Sequence, residues 1–359
     1  MLLSFRDAAH LRTKKIIFEE VFRAYDASTL EQLRDLSSWR RSIETSINSF
    51  TSKEILQKLE QYLPLLQSLT EQMRKVENSS LLPDVKIQWT SSLSSGSCIK
   101  NRGREFFSFS NLAFELGMSI FLYGAILRER AFEALSYDLT EAATMFRKAS
   151  GVYEYLATGV LASAQSSLPK ERPVELNPNL SYIMSRLCLA DAQATTAKRA
   201  EEKKVSALLL SKLHYGVAQL LGEANSAIES SLREGVKISS RLQDFVSTCR
   251  ALHELRSQVH LAEELRSTEQ VGSAVSIVCN AMSKIKKLKS AKNKSHQLVL
   301  NKEMQQVAEK LKRMQHEHEF LWNRKTNGAH LLLVLEEKII VSAIPFEPHK
   351  LAKVFMFQI

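Results

Sequence analysis

The chain has 359 residues, of which 44% are hydrophobic and 25% are charged, and it carries a formal net charge of +10 at pH 7. These proportions are those of a globular protein, and they exclude a chain too polar to bury a sizeable core. The positive charge favours anionic partners such as acidic lipid headgroups, nucleic acid or acidic proteins, or it serves solubility alone.

The cysteines and the apolar stretches bear on the cellular compartment. Four cysteines lie far apart without a CxxC pair, and no secretory leader is recognisable, which is typical of reduced thiols in a cytosolic protein. The most apolar stretch, residues 112–127, is shorter than a membrane span and contains Glu115. We therefore expect it to be a buried helix rather than a transmembrane segment.

Helical periodicity dominates the chain. In chain order, helices are predicted at residues 12–49 (interrupted near residue 27), 52–76, 111–136, 140–166, 180–203, 205–233, 237–266, 268–289 and 297–324. No proline occurs between residues 179 and 344, which favours uninterrupted helices there. Residues 77–110 are predicted to be a polar loop, and residues 167–179, with three prolines, a connector.

The order of these elements predicts an all-α fold. Long consecutive helices with small residues where the helices would cross indicate a tetratricopeptide-like stack of helical hairpins, with a four-helix bundle as the second choice. Near the end, HLLLVLEEKIIVSAI is predicted to be a short hairpin or extended segment. The chain is interpreted as one domain over residues 1–359, divided into N-terminal helices (1–76), a loop (77–110), a solenoid core (111–290) and a C-terminal helix with a tail (291–359).

Motifs for catalysis or metal binding fail on inspection. There is no glycine-rich phosphate loop and no GxSxG elbow. His253 and Glu254 begin like a zinc-protease helix, but the ligand position one turn further on is Ser257. His316 and His318 point to nearly opposite faces of a helix. We therefore predict no enzyme activity, no metal and no cofactor.

A lysine cluster spans the end of the sixth helix of the proposed core and the residues that follow it. Its members are Lys284, Lys286, Lys287, Lys289, Lys292 and Lys294. Such a cluster can bind anionic membranes, or it can simply be a solvated helix end whose charges suit the helix dipole. Without interleaved aromatic residues or a nucleic-acid module, a nucleic-acid role is the weakest of these interpretations.

A surplus of leucines marks the helix predicted at residues 205–233. Leu210, Leu213 and Val217 follow one buried stripe, and Leu209 extends that stripe sideways. Together with Leu208, the apolar arc is wider than one packing partner requires. The surplus is either core buried on two sides, as in a solenoid, or a docking surface.

Residues 189–224 read LADAQATTAKRAEEKKVSALLLSKLHYGVAQLLGEA, with the AxAQ core at residues 190–193. This segment resembles the signature helix pair of the Bro-one domain family. Other similar segments follow in order: KIQWTSSL, LAFELGMSIFLYGAILRERA, AATMFRKASGVYEYL and the terminal IPFEP. The chain is also similar to plant proteins described as endosomal-targeting Bro-one-like.

The resemblance implies a curved helical domain without a catalytic centre that binds the C-terminal amphipathic helix of an ESCRT-III filament subunit. The family's three apolar contact positions fall on Thr196, Leu209 and Leu213, where Thr196 replaces the aromatic residue of some members. It further implies a cytoplasmic protein peripherally associated with endosomes. Neither a nucleic acid nor a small-molecule substrate is expected as a partner, and anionic membrane binding through the lysine cluster is the alternative function.

Overall fold

The helical fold class is confirmed by the structure, a computed structural model that describes residues 3–49, 52–75, 85–94, 106–165, 168–287, 294–322, 336–348 and 355–357. Its helices are α1 Phe18–Val21, α2 Ala27–Ser49, α3 Ser52–Lys75, α4 Leu112–Ala134, α5 Leu139–Tyr155, α6 Ala162–Ala164, α7 Pro178–Glu202, α8 Ala207–Arg233, α9 Ser240–Ser267, α10 Val271–Lys287 and α11 Lys294–Trp322. A π-helical turn, Leu156–Leu161, joins α5 to α6. The bounds lie close to those predicted, except before residue 27.

Short polar side chains begin several of the long helices. Each N-cap side chain accepts a hydrogen bond from a backbone N–H of the first turn, which that turn could not otherwise satisfy. These residues are Asn111, Asp138, Asn177, Ser206 and Ser239. Pro178 opens α7, where its fixed φ suits the first helical position and its missing N–H costs nothing.

The helices from α3 onward pack mainly on their neighbours in the chain. Contacts run from α3 to α4, α4 to α5, α5 to α7, and then through α8, α9, α10 and α11 in order. This is the nearest-neighbour pattern of stacked hairpins. The central helices α4 and α7 are buried on most faces, so their apolar and small residues are not confined to one stripe.

A small antiparallel sheet was not predicted. Strands β1 Ile87–Thr90 and β2 Phe106–Phe109 pair with Ile87 opposite Phe109, inside the region interpreted as a loop. The prediction of a helix from residue 12 was also wrong, because residues 11–17 are not helical. There, Lys14 N–H donates to Gln88 O (3.3 Å), and Thr90 N–H donates to Arg12 O (2.9 Å).

A buried polar network joins the sheet to α2, α3 and α4. The Glu115 carboxylate, which is fully buried, accepts hydrogen bonds from Arg40 Nε (2.6 Å), Trp89 Nε1 (2.6 Å) and Tyr62 Oη (3.0 Å). Burial alone would lower the pKa of Arg40, but the adjacent Glu115 charge raises it overall. Glu115 thus occupies an apolar helix because its charge is paired, and the expectation of a buried helix at residues 112–127 is confirmed.

Within the described residues, no helix has the length and apolar character needed to cross a bilayer.

Residues 336–348, here called the C-terminal strap, return across the helical stack in an extended form. Lys338 N–H donates to Lys212 O on α8 (3.2 Å), and Ile344 N–H donates to Arg147 O on α5 (3.1 Å). Phe346 packs against Tyr123 of α4 with ring centroids 5.6 Å apart. The extended alternative predicted for this segment is therefore observed in its described part, 336–344.

Beyond the strap, residues 355–357 reach the N-terminal helices. Phe355 N–H donates to Gln72 Oε1 on α3 (2.8 Å), and Met356 N–H donates to Thr29 Oγ1 on α2 (2.8 Å). Phe357 forms a β-bridge with Ala24. The last described residues thus pack on the first helices of the chain.

Candidate functional site

The three predicted contact residues lie in the hairpin of α7 and α8, with Thr196 in the last two turns of α7 and Leu209 and Leu213 in the first two turns of α8. The two helices are joined by a tight turn in which Lys204 adopts a left-handed conformation (φ 54°) and Ser206 caps α8. Both helices pack closely on each other, so the C-terminal half of α7 lies beside the N-terminal half of α8. The charged residues 201–204 are exposed, as expected for a solvated turn.

Thr196 lies half-buried on α7. Its hydroxyl donates to the Ala192 carbonyl one turn earlier (2.9 Å), so its hydrogen-bond donor is satisfied within the helix. A threonine whose hydroxyl is turned onto its own backbone can present its methyl group to a neighbour. This position is therefore compatible with an apolar contact although it is not aromatic.

The leucines of α8 divide between core and surface. Leu210 is buried, and Leu213 is only 2% exposed, so Leu213 belongs to the core and not to the accessible surface expected for a contact residue. Leu209 is half-buried, and Leu208, which was not among the predicted contacts, is 38% exposed. The apolar side chains of this hairpin region with accessible surface are therefore Thr196, Leu209 and Leu208, here called the α7–α8 ledge, whereas Leu213 is buried.

Gln193, the last residue of the AxAQ core, fixes the strap beside this ledge. Its side-chain amide donates to Lys338 O (2.7 Å) and Leu213 O (3.3 Å), and its carbonyl accepts from Ile340 N–H (3.2 Å). A Cβ atom at Gly216 would lie 2.9 Å from Lys338 O, which explains a glycine at that crossing. The strap is thus held against α7 and α8 by the buried side chain of Gln193.

Further along α8, an open groove of about 630 Å³ has a different character. Its lining includes Tyr182, Gln219, Glu223, Arg250 and Glu337, so polar and charged groups dominate its walls. Apolar side chains of a partner would find fewer suitable contacts there than on the α7–α8 ledge.

The lysine cluster is described only in part. Lys284 and Lys286 are exposed near the end of α10. Lys287 and Lys294 lie in α10 and α11, but their side chains are outside the described residues, as are Lys289 and Lys292 altogether. The predicted membrane role stays a prediction.

The chain belongs to the BRO1-like domain family, which its sequence matches over residues 5–358. The resemblance predicted from the α7–α8 helix pair is thereby confirmed. A search among curated proteins finds no match.

Solved structures share the fold at low sequence identity. An ALIX BRO1 domain in complex with CHMP4C has a TM-score of 0.73 and 16% identity, and the similarity covers 94% of both chains. ALIX in complex with a late-domain peptide of SIVmac239 has a TM-score of 0.77 and 17% identity over 94% of this chain and 48% of that one. A structure described as the basis for endosomal targeting by the Bro1 domain has a TM-score of 0.71 and 14% identity, covering 93% and 91% of the two chains.

Proposed function

We propose that this protein is a non-enzymatic adaptor of endosomal sorting that binds the C-terminal amphipathic helix of an ESCRT-III subunit on the α7–α8 ledge. Membership of the BRO1-like domain family supports this proposal, as does the similarity to an ALIX BRO1 domain bound to CHMP4C, an ESCRT-III protein. Such a module would act in the cytoplasm and associate peripherally with endosomes.

The observation that carries the proposal is an apolar surface without unsatisfied polar groups of its own. The Thr196 hydroxyl is bonded to Ala192 O, and the Leu208 N–H donates to Glu264 Oε2 (3.3 Å). The half-buried Leu209, next to Leu208 in α8, would receive an apolar anchor of a helix-in-groove partner. The buried Leu213, one turn further along α8, would support Leu209 in its position.

Leu209→Asp is expected to weaken binding of an ESCRT-III C-terminal peptide at least about tenfold. Completing the burial of half a leucine side chain contributes about 1–1.5 kcal/mol, and an unpaired carboxylate in the interface adds a desolvation cost. Titration calorimetry or fluorescence anisotropy with the full chain would measure the change. Leu213→Asp is a poor probe, because it would bury a charge in the core and unfold the site.

Leu232→Asp is the matched control for this experiment. Leu232 lies on the same helix, is 38% exposed and is near the opposite end of α8 from the ledge. The control should bind like the unmodified chain, and both variants should melt at a similar temperature. Equal affinity of a folded Leu209→Asp variant and the control would refute the ledge as the docking surface.

The alternative function, a peripheral scaffold on anionic membranes, rests on the exposed Lys284 and Lys286. In liposome flotation, binding should require anionic lipid, weaken with salt and fall when both lysines are replaced by glutamate. Lys203→Glu with Lys204→Glu, in the exposed turn after α7, makes the same change in net charge elsewhere. Equal loss in both double variants would show a general charge effect and not a membrane site.

A further inference from the structure

Four side chains of three helices meet beneath the turn between α7 and α8. Glu201 lies at the end of α7, His214 on α8, and His253 and His260 on α9. Glu201 Oε1 lies 3.2 Å from His214 Nε2 and 3.6 Å from His260 Nε2. The His214 and His260 rings are stacked, with centroids 5.5 Å apart. His253 begins the segment whose zinc-protease spacing fails at Ser257, and no part of the proposed function uses this cluster.

We propose that Glu201, His214 and His260 form a binding site for a divalent transition metal, Zn²⁺ in particular. One carboxylate oxygen and two imidazole nitrogens are a typical Zn²⁺ ligand set, and these three atoms lie within 4.8 Å of one another. Metal–ligand bonds of about 2.0–2.2 Å in a tetrahedral arrangement place ligand atoms about 3.3–3.6 Å apart. The two measured separations, 3.2 and 3.6 Å, are close to this range.

The outer nitrogen of His214 already has a hydrogen-bond partner, and the outer nitrogen of His260, which forms no hydrogen bond, has a carboxylate within reach. His214 Nδ1 lies 3.1 Å from His253 Nδ1, and His260 Nδ1 lies 3.3 Å from a Glu263 carboxylate oxygen. With Nε2 of each ligand directed at the metal, Nδ1–H of His214 would donate to His253, and Nδ1–H of His260 would donate to Glu263. A carboxylate that orients a metal-bound histidine is a frequent second-shell arrangement. Glu263 is in turn held by Lys310 Nζ at 2.6 Å.

Access also suits a cation. The Glu201 side chain is 42% exposed, so an ion can enter from solvent and retain a water as its fourth ligand. The nearby Arg256 is paired with Glu303 at 2.7 Å.

The test is calorimetric titration of the untagged full chain with Zn²⁺, repeated with Co²⁺ while its visible absorption is recorded. We expect one Zn²⁺ per chain, a tetrahedral Co²⁺ spectrum and a melting temperature that rises with Zn²⁺. His260→Gln and Glu201→Gln should raise the Kd for Zn²⁺ at least about 10²-fold, and Glu263→Gln about 10–100-fold. Glu201→Gln changes a partly exposed group, so it keeps the fold intact if His260→Gln does not.

His316→Gln is the control, because His316 is exposed on α11 and belongs, with His318, to another histidine-containing segment of the chain. Loss of binding in the site variants but not in this control supports the proposal. The proposal is overturned if the unmodified chain binds no Zn²⁺. It is equally overturned if Glu201→Gln binds Zn²⁺ as tightly as the unmodified chain. Neither outcome bears on peptide docking at the α7–α8 ledge, which is measured without metal.

Discussion

Replacement of Glu115 by alanine is expected to lower the free energy of unfolding by about 3–5 kcal/mol, because it leaves a buried guanidinium without its counter-charge. Arg40 and Glu115 are both fully inaccessible to solvent, and Arg40 also lies over the Trp89 ring, 4.8 Å from its centroid. The same substitution removes the acceptor of the Trp89 and Tyr62 hydrogen bonds. Three elements of the N-terminal half would therefore lose their common anchor.

Urea denaturation followed by circular dichroism would measure this effect. Glu133→Ala is the matched control, because Glu133 is on the same helix and forms an exposed ion pair with Arg130. Such pairs contribute less than about 1 kcal/mol. If the two variants are equally stable, the Glu115 network is not the anchor that its burial suggests.

Substitution of Gly151 by alanine is expected to detach the C-terminal strap from α5. A Cβ atom at this position would lie 1.8 Å from Ile344 O, and the obstructing atom is backbone, which cannot move aside by changing a rotamer. Displacement would break the bond from Ile344 N–H to Arg147 O and that from Arg147 Nε to Ser342 O (2.7 Å). We expect a loss of about 1–3 kcal/mol, as for other overpacked sites.

Hydrogen exchange with mass spectrometry over residues 341–348 would report the detachment directly. Gly222→Ala, on α8, is the control, since its Cβ would meet only the Arg250 side chain at 3.7 Å. In that variant the helix should gain about 0.5–1 kcal/mol from reduced backbone freedom. Unchanged protection of the strap in Gly151→Ala would mean that the strap is held elsewhere.

The helices were predictable because their signals are local. Apolar periodicity and the placement of prolines depend only on residues close in sequence, and α7 begins at Pro178, two residues before its predicted start. Residues 11–17 have the same periodicity but are extended, because they pair with β1 about 75 positions away. Long-range pairing overrides local propensity there, and no signal within the segment itself shows it.

The candidate site was predictable to the level of helices and less so to the level of atoms. The leucine surplus of α8 was apparent, but its division into a buried Leu213 and a more accessible Leu209 depends on packing that periodicity does not resolve. Likewise, a motif search for metal ligands considers one helix at a time. His253 and His260 share α9, whereas Glu201 and His214 come from α7 and α8, so their convergence is visible only in three dimensions.

The strap and the bonds of residues 355–357 also change how the whole array should unfold. An open stack of hairpins can fray from either end, since each layer is stabilised only by the adjacent ones. Here the contact between Gln72 and Phe355 closes a loop of 283 positions, and the strap links α8 to α5 and α4 on the way. Because loop closure costs grow only slowly with length, this long return path is tolerable. It couples distant layers, so the array gains the cooperativity of a closed structure, and its last contacts form only after the residues up to 357 have been synthesised.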